Sequence, residues 1–279
     1  MKYVIHLIVA AVLVILGEFV FHGHLSPHFI AEAVIIVTVV TVEVGYDIYK
    51  NWKRIKLVLG CRWLALKNKS VRFSMSYQYR IKIKDKYLLV KNSNFDVYQH
   101  VGGKYKRLAS SQGFLKDEFE ASDDLKMQTT GLMKDDFAIF IPARKAIRFI
   151  DWFNKGKGRE VSHWREFYEE LIAGKGSVLS PKNFPYVNYN YVGRVTTPLK
   201  GAKGWDCYEI LQFDVLDLIP TAAQESELEK LLEAGDTDYI KWADEELINC
   251  LGHDKRSRKT LYKIGHHAKA VLNMKWSED

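Results

Sequence analysis

The chain has 279 residues, with 41 Lys and Arg against 34 Asp and Glu, which gives a formal net charge of +7. A hydrophobic content of 47% with 27% charged residues excludes an intrinsically disordered or fibrous chain, and the length suits one large domain or two modest ones. The three cysteines form no CxxC pair, which argues against a disulfide framework or a cysteine-based zinc site and favours a reducing compartment.

Two apolar stretches open the chain, at residues 3–21 and 29–49. Each has the length of about 20 residues that a helix needs to cross a hydrocarbon core of about 30 Å. Their connection, residues 22–28, contains Gly23 and Pro27 and is short, so we expect an antiparallel pair of transmembrane helices. Because the second stretch follows the first at once, a cleaved signal peptide is not expected.

Positive charge sets the expected orientation of this membrane hairpin. Lys50, Lys53, Arg54 and Lys56 follow the second stretch, whereas the connection has no Lys or Arg. The positive-inside rule then places both termini in the cytoplasm. We therefore expect residues 1–56 to form a two-span hairpin with a basic juxtamembrane segment, and residues 57–279 to form a cytoplasmic domain.

Three glutamates interrupt the apolar stretches, although a carboxylate at the bilayer centre costs about 2.5–3.5 kcal/mol. Glu18 and Glu32 lie near the turn end of their spans, where we expect them to reach headgroup water. Glu43 lies deeper, and two interpretations remain open for it: an interface between helices of an oligomer, or partial solvation.

The strongest local charge follows the second stretch. Residues 50–107 contain sixteen Lys and Arg, against Asp85 and Asp96 alone. Anionic membrane lipid and a phosphorylated ligand would both account for this excess. A nucleic-acid polymer is not expected, because basic residues beside a membrane are explained more simply by lipid.

Alternation with a period of two at residues 71–91 predicts antiparallel strands with a turn at Asp85-Lys86. One face of the first strand would carry the apolar residues Phe73, Met75, Tyr77, Tyr79, Ile81 and Ile83. The other face would carry Arg72, Ser74, Ser76, Gln78, Arg80 and Lys82, so that basic residues line one side of a sheet.

The rest of the chain mixes strand and helix patterns. A strand is expected to end at Pro142, followed by a helix over residues 143–153, and further strands at residues 187–199 and 205–218. Helical periodicity predicts helices near residue 161 and over residues 224–234, 238–250 and 259–273. This arrangement indicates an α+β domain.

Glu166, Glu169 and Glu170 share one face of the helix that begins near residue 161. Carboxylates at this spacing can converge on a hard cation such as Mg²⁺, which would bind a pyrophosphate while one carboxylate activates water. Arg165 and Glu169 stand at i and i+4 and can pair. Taken alone, however, a run of glutamates on the polar side of an amphipathic helix is usually a solvated face.

These residues carry a family resemblance. Residues 165–170, REFYEE, match the R-E-U-x-E-E part of the Nudix box, and Gly102-Gly103 resembles the glycine pair that precedes its helix. About sixty residues separate the two parts, Lys157 stands where the box has its first glutamate, and Ile172 stands where it has a glycine. With its two predicted spans, the chain resembles the SMODS-associated Nudix effectors of bacterial CBASS antiphage systems.

The resemblance implies a Nudix-like mixed-sheet α/β/α domain behind a transmembrane hairpin in the cell inner membrane. It also implies a partner, a cGAS-like nucleotidyltransferase, whose cyclic oligonucleotide would activate the protein. Activation would produce a homo-oligomer that disrupts the membrane lipid and causes abortive infection. The residues expected to bind this second messenger through phosphates and bases are Arg72, Arg80, Lys82, Lys91, Tyr98, Gly102, Gly103 and Lys104.

The same resemblance leaves an enzyme as the alternative. A membrane-tethered, Mg²⁺-dependent Nudix hydrolase would act on nucleoside diphosphate derivatives. Glu166, Glu169 and Glu170 would then be both the catalytic residues and the metal ligands.

Overall fold

The computed structural model describes residues 27–124, 126, 135–173 and 177–276, with the side chains of the first helix described from residue 35 onward. The chain divides into two compact units, Met1–Gly60 and Cys61–Asp279. The first predicted span, residues 3–21 with Glu18, lies outside the described residues, as does the side chain of Glu32.

Helix α1 (Pro27–Lys50) contains the second predicted span, and helix α2 (Trp52–Leu66) follows it. Apolar side chains of α1 are exposed, Val42 to 66% and Ile35 to 61%, and Glu43 is half-buried. A search of the described residues found no helix with both the length and the apolar character needed to cross a membrane.

The unit from Cys61 onward contains both strands and helices. The strands are β1 (Ser70–Arg80), β2 (Lys82–Ile83), β3 (Lys86–Lys91), β4 (Tyr98–His100), β5 (Ser122–Asp123), β6 (Ala138–Pro142), β7 (Asn188–Thr196), β8 (Lys200–Gly201), β9 (Tyr208–Ile219), β10 (Ile240–Asp244), β11 (His253–Asp254) and β12 (Lys259–Thr260). The helices are α3 (Gln112–Phe119), α4 (Ala146–Asn154), α5 (Trp164–Leu171), α6 (Ala222–Ala234), α7 (Glu245–Asn249) and α8 (His266–Asn273).

A mixed sheet with the order β5-β6-β1-β9-β7 forms the centre of this unit, with β8 paired to β9. Strands β1 and β9 run parallel over ten residue pairs, and β6 and β7 join them antiparallel on either side. A smaller sheet has the order β10-β3-β2 with β4 on β3. The α+β prediction is therefore confirmed, and its sheet is mixed.

The pattern of β1 predicts one of its faces correctly and the other wrongly. The apolar residues of this pattern are buried throughout, from Phe73 in β1 to Ile83 in β2. The opposite face is not an open basic surface, because Arg72, Ser76 and Gln78 are buried as well. A period of two assigns residues to faces, but it does not reveal that a central strand is covered on both faces.

Two helix predictions near the end of the chain are wrong. Residues 238–250 form strand β10 and then the short helix α7, which Asp244 caps by accepting a hydrogen bond from the backbone N–H of Leu247 at 2.8 Å. Residues 259–273 form β12, a connection and α8. Pairing of β10 with β3, in which Trp242 lies opposite Leu88, overrides the local helical pattern.

Candidate functional site

Helix α5 presents its glutamates on one side because the other side is fixed in the core. Phe167 and Leu171 are fully buried. The Trp164 ring stacks on that of Phe167 with centroids 5.7 Å apart, and the backbone N–H of Glu166 donates to the Tyr77 hydroxyl at 3.2 Å. The helix is therefore held against β1.

Arg165 ties the acidic side chains of this region together. Its guanidinium donates to Glu166 at 2.6 Å, to Glu169 at 3.2 Å and to Glu160 at 3.1 Å. It also donates to the carbonyl oxygen of Lys104 at 2.7 Å. The expected pair between Arg165 and Glu169 is thus confirmed, and two of the three predicted catalytic carboxylates share one cation of the protein with Glu160.

The glycine pair meets the glutamate helix across the long intervening segment. The backbone N–H of Gly102 donates to a carboxylate oxygen of Glu170 at 2.7 Å. A Cβ atom on Gly102, whose φ is +141°, would lie 2.2 Å from the carbonyl oxygen of Tyr77. A Cβ atom on Gly103 would lie 2.2 Å from the carboxyl carbon of Glu166. Gly102 therefore needs to be glycine, because a side chain there would meet fixed backbone of β1, whereas at Gly103 it would meet the end of the Glu166 side chain.

Two of the carboxylates have raised pKa values. Burial raises the pKa of Glu170 well above its ordinary value, and the neighbouring Glu166 carboxylate adds to the effect. Burial also raises the pKa of Glu166, while Arg165 acts in the opposite direction. A raised pKa makes a carboxyl group hold its proton to a higher pH than an exposed glutamate does.

The three carboxylates, as placed, do not form a magnesium ligand set. Glu166 and Glu169 bind Arg165, and Glu170 binds the Gly102 backbone. Across the ranges that the structure describes, no group of three or more His, Cys, Asp or Glu side chains was found that could hold a metal ion. Magnesium binding therefore stays a prediction.

Two of the predicted ligand-binding cations are engaged in pairs across the sheet. Arg72 is buried, donates to Asp124 at 2.6 Å and to Glu209 at 2.7 Å, and lies 4.4 Å from the Trp205 ring centroid. Arg80 binds both carboxylate oxygens of Asp217, at 2.6 and 2.8 Å. Both arginines stand eight residues apart on one strand, about 26 Å by strand geometry, so they do not share a cleft.

The remaining predicted ligand residues are also dispersed. Lys82 pairs with Glu245 at 3.2 Å and Lys91 pairs with Asp96 at 3.7 Å, and all four side chains are exposed. Tyr98 donates its hydroxyl to the carbonyl oxygen of Asp238. Of the predicted set, Gly102, Gly103 and Lys104 lie at the glutamate helix, with the Lys104 ammonium 3.8 Å from Asp136.

A histidine immediately before α5 was not singled out from the sequence. His163 contacts the Tyr105 hydroxyl through Nε2 at 2.8 Å and the Tyr189 hydroxyl through Nδ1 at 2.9 Å. Tyr105 in turn donates to Asp214 at 2.6 Å, and Arg194 holds Asp214 at 2.5 Å. Burial lowers the pKa of His163, so the imidazole is neutral at neutral pH. No local spacing links these residues, because Tyr105 follows β4, His163 precedes α5, Tyr189 and Arg194 lie on β7, and Asp214 lies on β9.

Comparison with known proteins identifies one family. The model of the SMODS-associated NUDIX domain matches residues 70–272, which is most of the chain and includes the glycine pair, the glutamate helix and both sheets. No curated protein matches the chain.

Proposed function

This chain belongs to the SMODS-associated NUDIX domain family, and on that premise we propose that it is an effector of a CBASS-type antiviral system whose Nudix-like domain binds a cyclic oligonucleotide. The contacts that the three glutamates make favour a binding role over a hydrolytic one. Arg165 donates hydrogen bonds to Glu166 and Glu169, and Glu170 accepts the Gly102 N–H, so all three carboxylates make contacts within the domain.

Membrane anchoring is the second part of the proposal. The apolar stretches at residues 3–21 and 29–49, the exposed apolar side chains of α1 and the basic residues that follow support a hairpin in the inner membrane with both termini in the cytoplasm. Binding of the messenger would bring copies of the chain together, so that their hairpins disrupt the membrane and the infected cell dies.

Direct titration tests the binding step. The full chain, purified in detergent, is titrated with a panel of cyclic di- and trinucleotides, with the matching linear nucleotides as controls. The proposal predicts saturable binding of at least one cyclic compound and much weaker binding of its linear form. A full chain that is folded and binds none of the panel would contradict it.

A hydrolase is the second candidate, and the raised pKa values of Glu166 and Glu170 favour it because a general base needs such a pKa. The full chain is assayed with nucleoside diphosphate derivatives and Mg²⁺, beside the variants Glu169→Gln and Glu170→Gln. Turnover that both variants lack would establish the enzyme. Turnover that survives both substitutions, or no turnover at all, would eliminate it.

A further inference from the structure

Helix α2 carries apolar side chains on two opposite sides. On the inner side, Cys61 and Leu64 are buried, and Leu57 and Val58 are half-buried. The opposite side carries an outer stripe that consists of Trp52, Leu59, Trp63 and Leu66. Successive members of this stripe are seven, four and three residues apart, which places them on one face of the helix. The inner side accounts for the packing of α2 in the protein, and the outer stripe remains to be explained.

The outer stripe is exposed along its whole length. The exposed fraction is 48% for both tryptophans, 57% for Leu59 and 86% for Leu66. By helix geometry, the stripe extends about 21 Å from Trp52 to Leu66. Single apolar residues at a surface need no explanation, but a continuous exposed row of two tryptophans and two leucines indicates a surface that is covered by a membrane or by another protein.

The charges beside the stripe are all positive. Helix α2 contains four cations and no carboxylate, and no Asp or Glu occurs anywhere in residues 50–84. The Lys56 ammonium lies 5.2 Å from the ring centroid of Trp52, and the Lys67 ammonium lies 3.7 Å from that of Trp63. Helical spacing places Arg62 on the other flank of the stripe. Cations therefore border the apolar row on both flanks.

These cations distinguish between the two kinds of cover. In the described part of the chain, none of the four residues Lys53, Lys56, Arg62 and Lys67 forms an ion pair with a carboxylate. A second copy of α2 on the stripe would bring like charges together, which is unfavourable. An anionic lipid surface attracts the same cations, and each of them strengthens binding about fivefold. Charge complementarity therefore favours lipid.

We propose that α2 lies along the surface of an anionic membrane. The outer stripe enters the boundary between headgroups and acyl chains, and Lys56, Arg62 and Lys67 bind lipid phosphates. Tryptophan and leucine on one side of a helix, with lysine and arginine beside them, form the pattern of helices that lie in a membrane interface. The inference rests on the proposed function for the location of the chain at a membrane, and it goes beyond it because a hairpin anchor requires no contact between α2 and lipid.

Fluorescence quenching by lipids with brominated acyl chains tests the contact. The full chain is placed in vesicles of phosphatidylcholine with phosphatidylglycerol, and it has seven tryptophans, so each contribution is read as the difference that one Trp→Phe substitution makes. Trp52→Phe is the positive control, because Trp52 directly follows the second predicted span. Trp276→Phe is the negative control, because this half-buried ring stacks on Phe213. We expect Trp63→Phe to remove about as much quenching as Trp52→Phe, and Trp276→Phe to remove none.

A charge substitution tests the role of the cations. Lys56→Gln combined with Arg62→Gln should weaken the binding of α2 to the anionic surface about 25-fold, because each cation contributes about fivefold. Quenching of Trp63 should then fall to the level that the wild-type chain shows in phosphatidylcholine alone. Lys230→Gln combined with Lys259→Gln is the matched control, because both lysines are exposed and lie outside α2, and it should leave the quenching unchanged.

The other outcomes separate this inference from the proposed function. If Trp52 is quenched and Trp63 is not, α2 projects away from the membrane, so the inference is wrong and the proposed anchor stands. If Trp63 is shielded both from brominated lipid and from iodide in the water, protein covers the stripe, which also contradicts the inference. If the chain does not associate with vesicles of either composition, the anchoring part of the proposed function fails, and this inference fails with it.

Discussion

The substitution Arg72→Met separates a structural arginine from a ligand-binding one. Arg72 is buried and pairs with Asp124 and Glu209, so its removal leaves two carboxylates in the core. Glu209 keeps a partner, because Lys200 lies 2.5 Å from it, whereas Asp124 loses its charged partner at 2.6 Å. Breaking one side of a buried ion pair costs about 3–5 kcal/mol. For a unit of this size, that loss lowers Tm by about 6–20 °C.

The assay is thermal unfolding of the full chain in detergent, with nucleotide titration at a temperature where the variant is folded. Lys91→Met is the control, because Lys91 is exposed and its pair with Asp96 spans 3.7 Å, so its loss should cost less than about 1 kcal/mol. We expect Arg72→Met to unfold early and to bind nucleotide with wild-type affinity. A loss of stability below about 1 kcal/mol together with weakened binding would refute this reasoning and restore Arg72 as a ligand residue.

Three further predictions concern the core and the glutamate helix. Gly102→Ala should lower the free energy of unfolding by about 3 kcal/mol, because the new Cβ atom meets a fixed backbone carbonyl. Gly103→Ala should lower it by about 1 kcal/mol, because the new Cβ atom meets the Glu166 side chain, which can rotate. Equal losses for the two variants in urea unfolding would contradict this. Burial lowers the pKa of His100 from 6.5 to about 3. The contribution of His100 to stability is therefore complete above pH 6.5, and the free energy of unfolding should fall by up to about 1.4 kcal/mol per pH unit toward pH 3. His100→Phe should flatten that slope, and an unchanged slope would contradict the prediction. Burial raises the pKa of Glu170, so ionisation of this carboxyl destabilises the fold as pH rises above 4.5. Glu170→Gln should therefore raise Tm at pH 8 and not at pH 4. A rise in Tm at pH 4 and none at pH 8 would exclude a buried carboxylate here.

Local periodicity predicts part of this structure from the sequence alone. Alternation with a period of two predicts the buried face of β1, and apolar residues at every third or fourth position predict the amphipathic helix α5. The glycine pair and the glutamates could also be associated with each other because both match parts of the Nudix box, although about sixty residues lie between them. Their contact at 2.7 Å confirms that association.

Long-range pairing explains what the sequence does not reveal. Arg72 and Arg80 looked like free cations because their partners Glu209 and Asp217 are 137 positions away and meet them only through the parallel register of β1 and β9. The same holds for the helix predicted over residues 238–250, in which pairing with β3 creates a strand.

The central claim is that a cyclic oligonucleotide activates this chain to disrupt the membrane of its own cell. A measurement of membrane potential tests this claim most directly. Cells that contain the chain and an inducible cGAS-like nucleotidyltransferase are followed with a potential-sensitive dye, beside cells with an inactivated nucleotidyltransferase and cells with residues 57–279 alone. The account predicts depolarisation soon after induction in the complete pair and in neither control. A potential that stays intact while both proteins are present at full level and the cyclic product accumulates would contradict it.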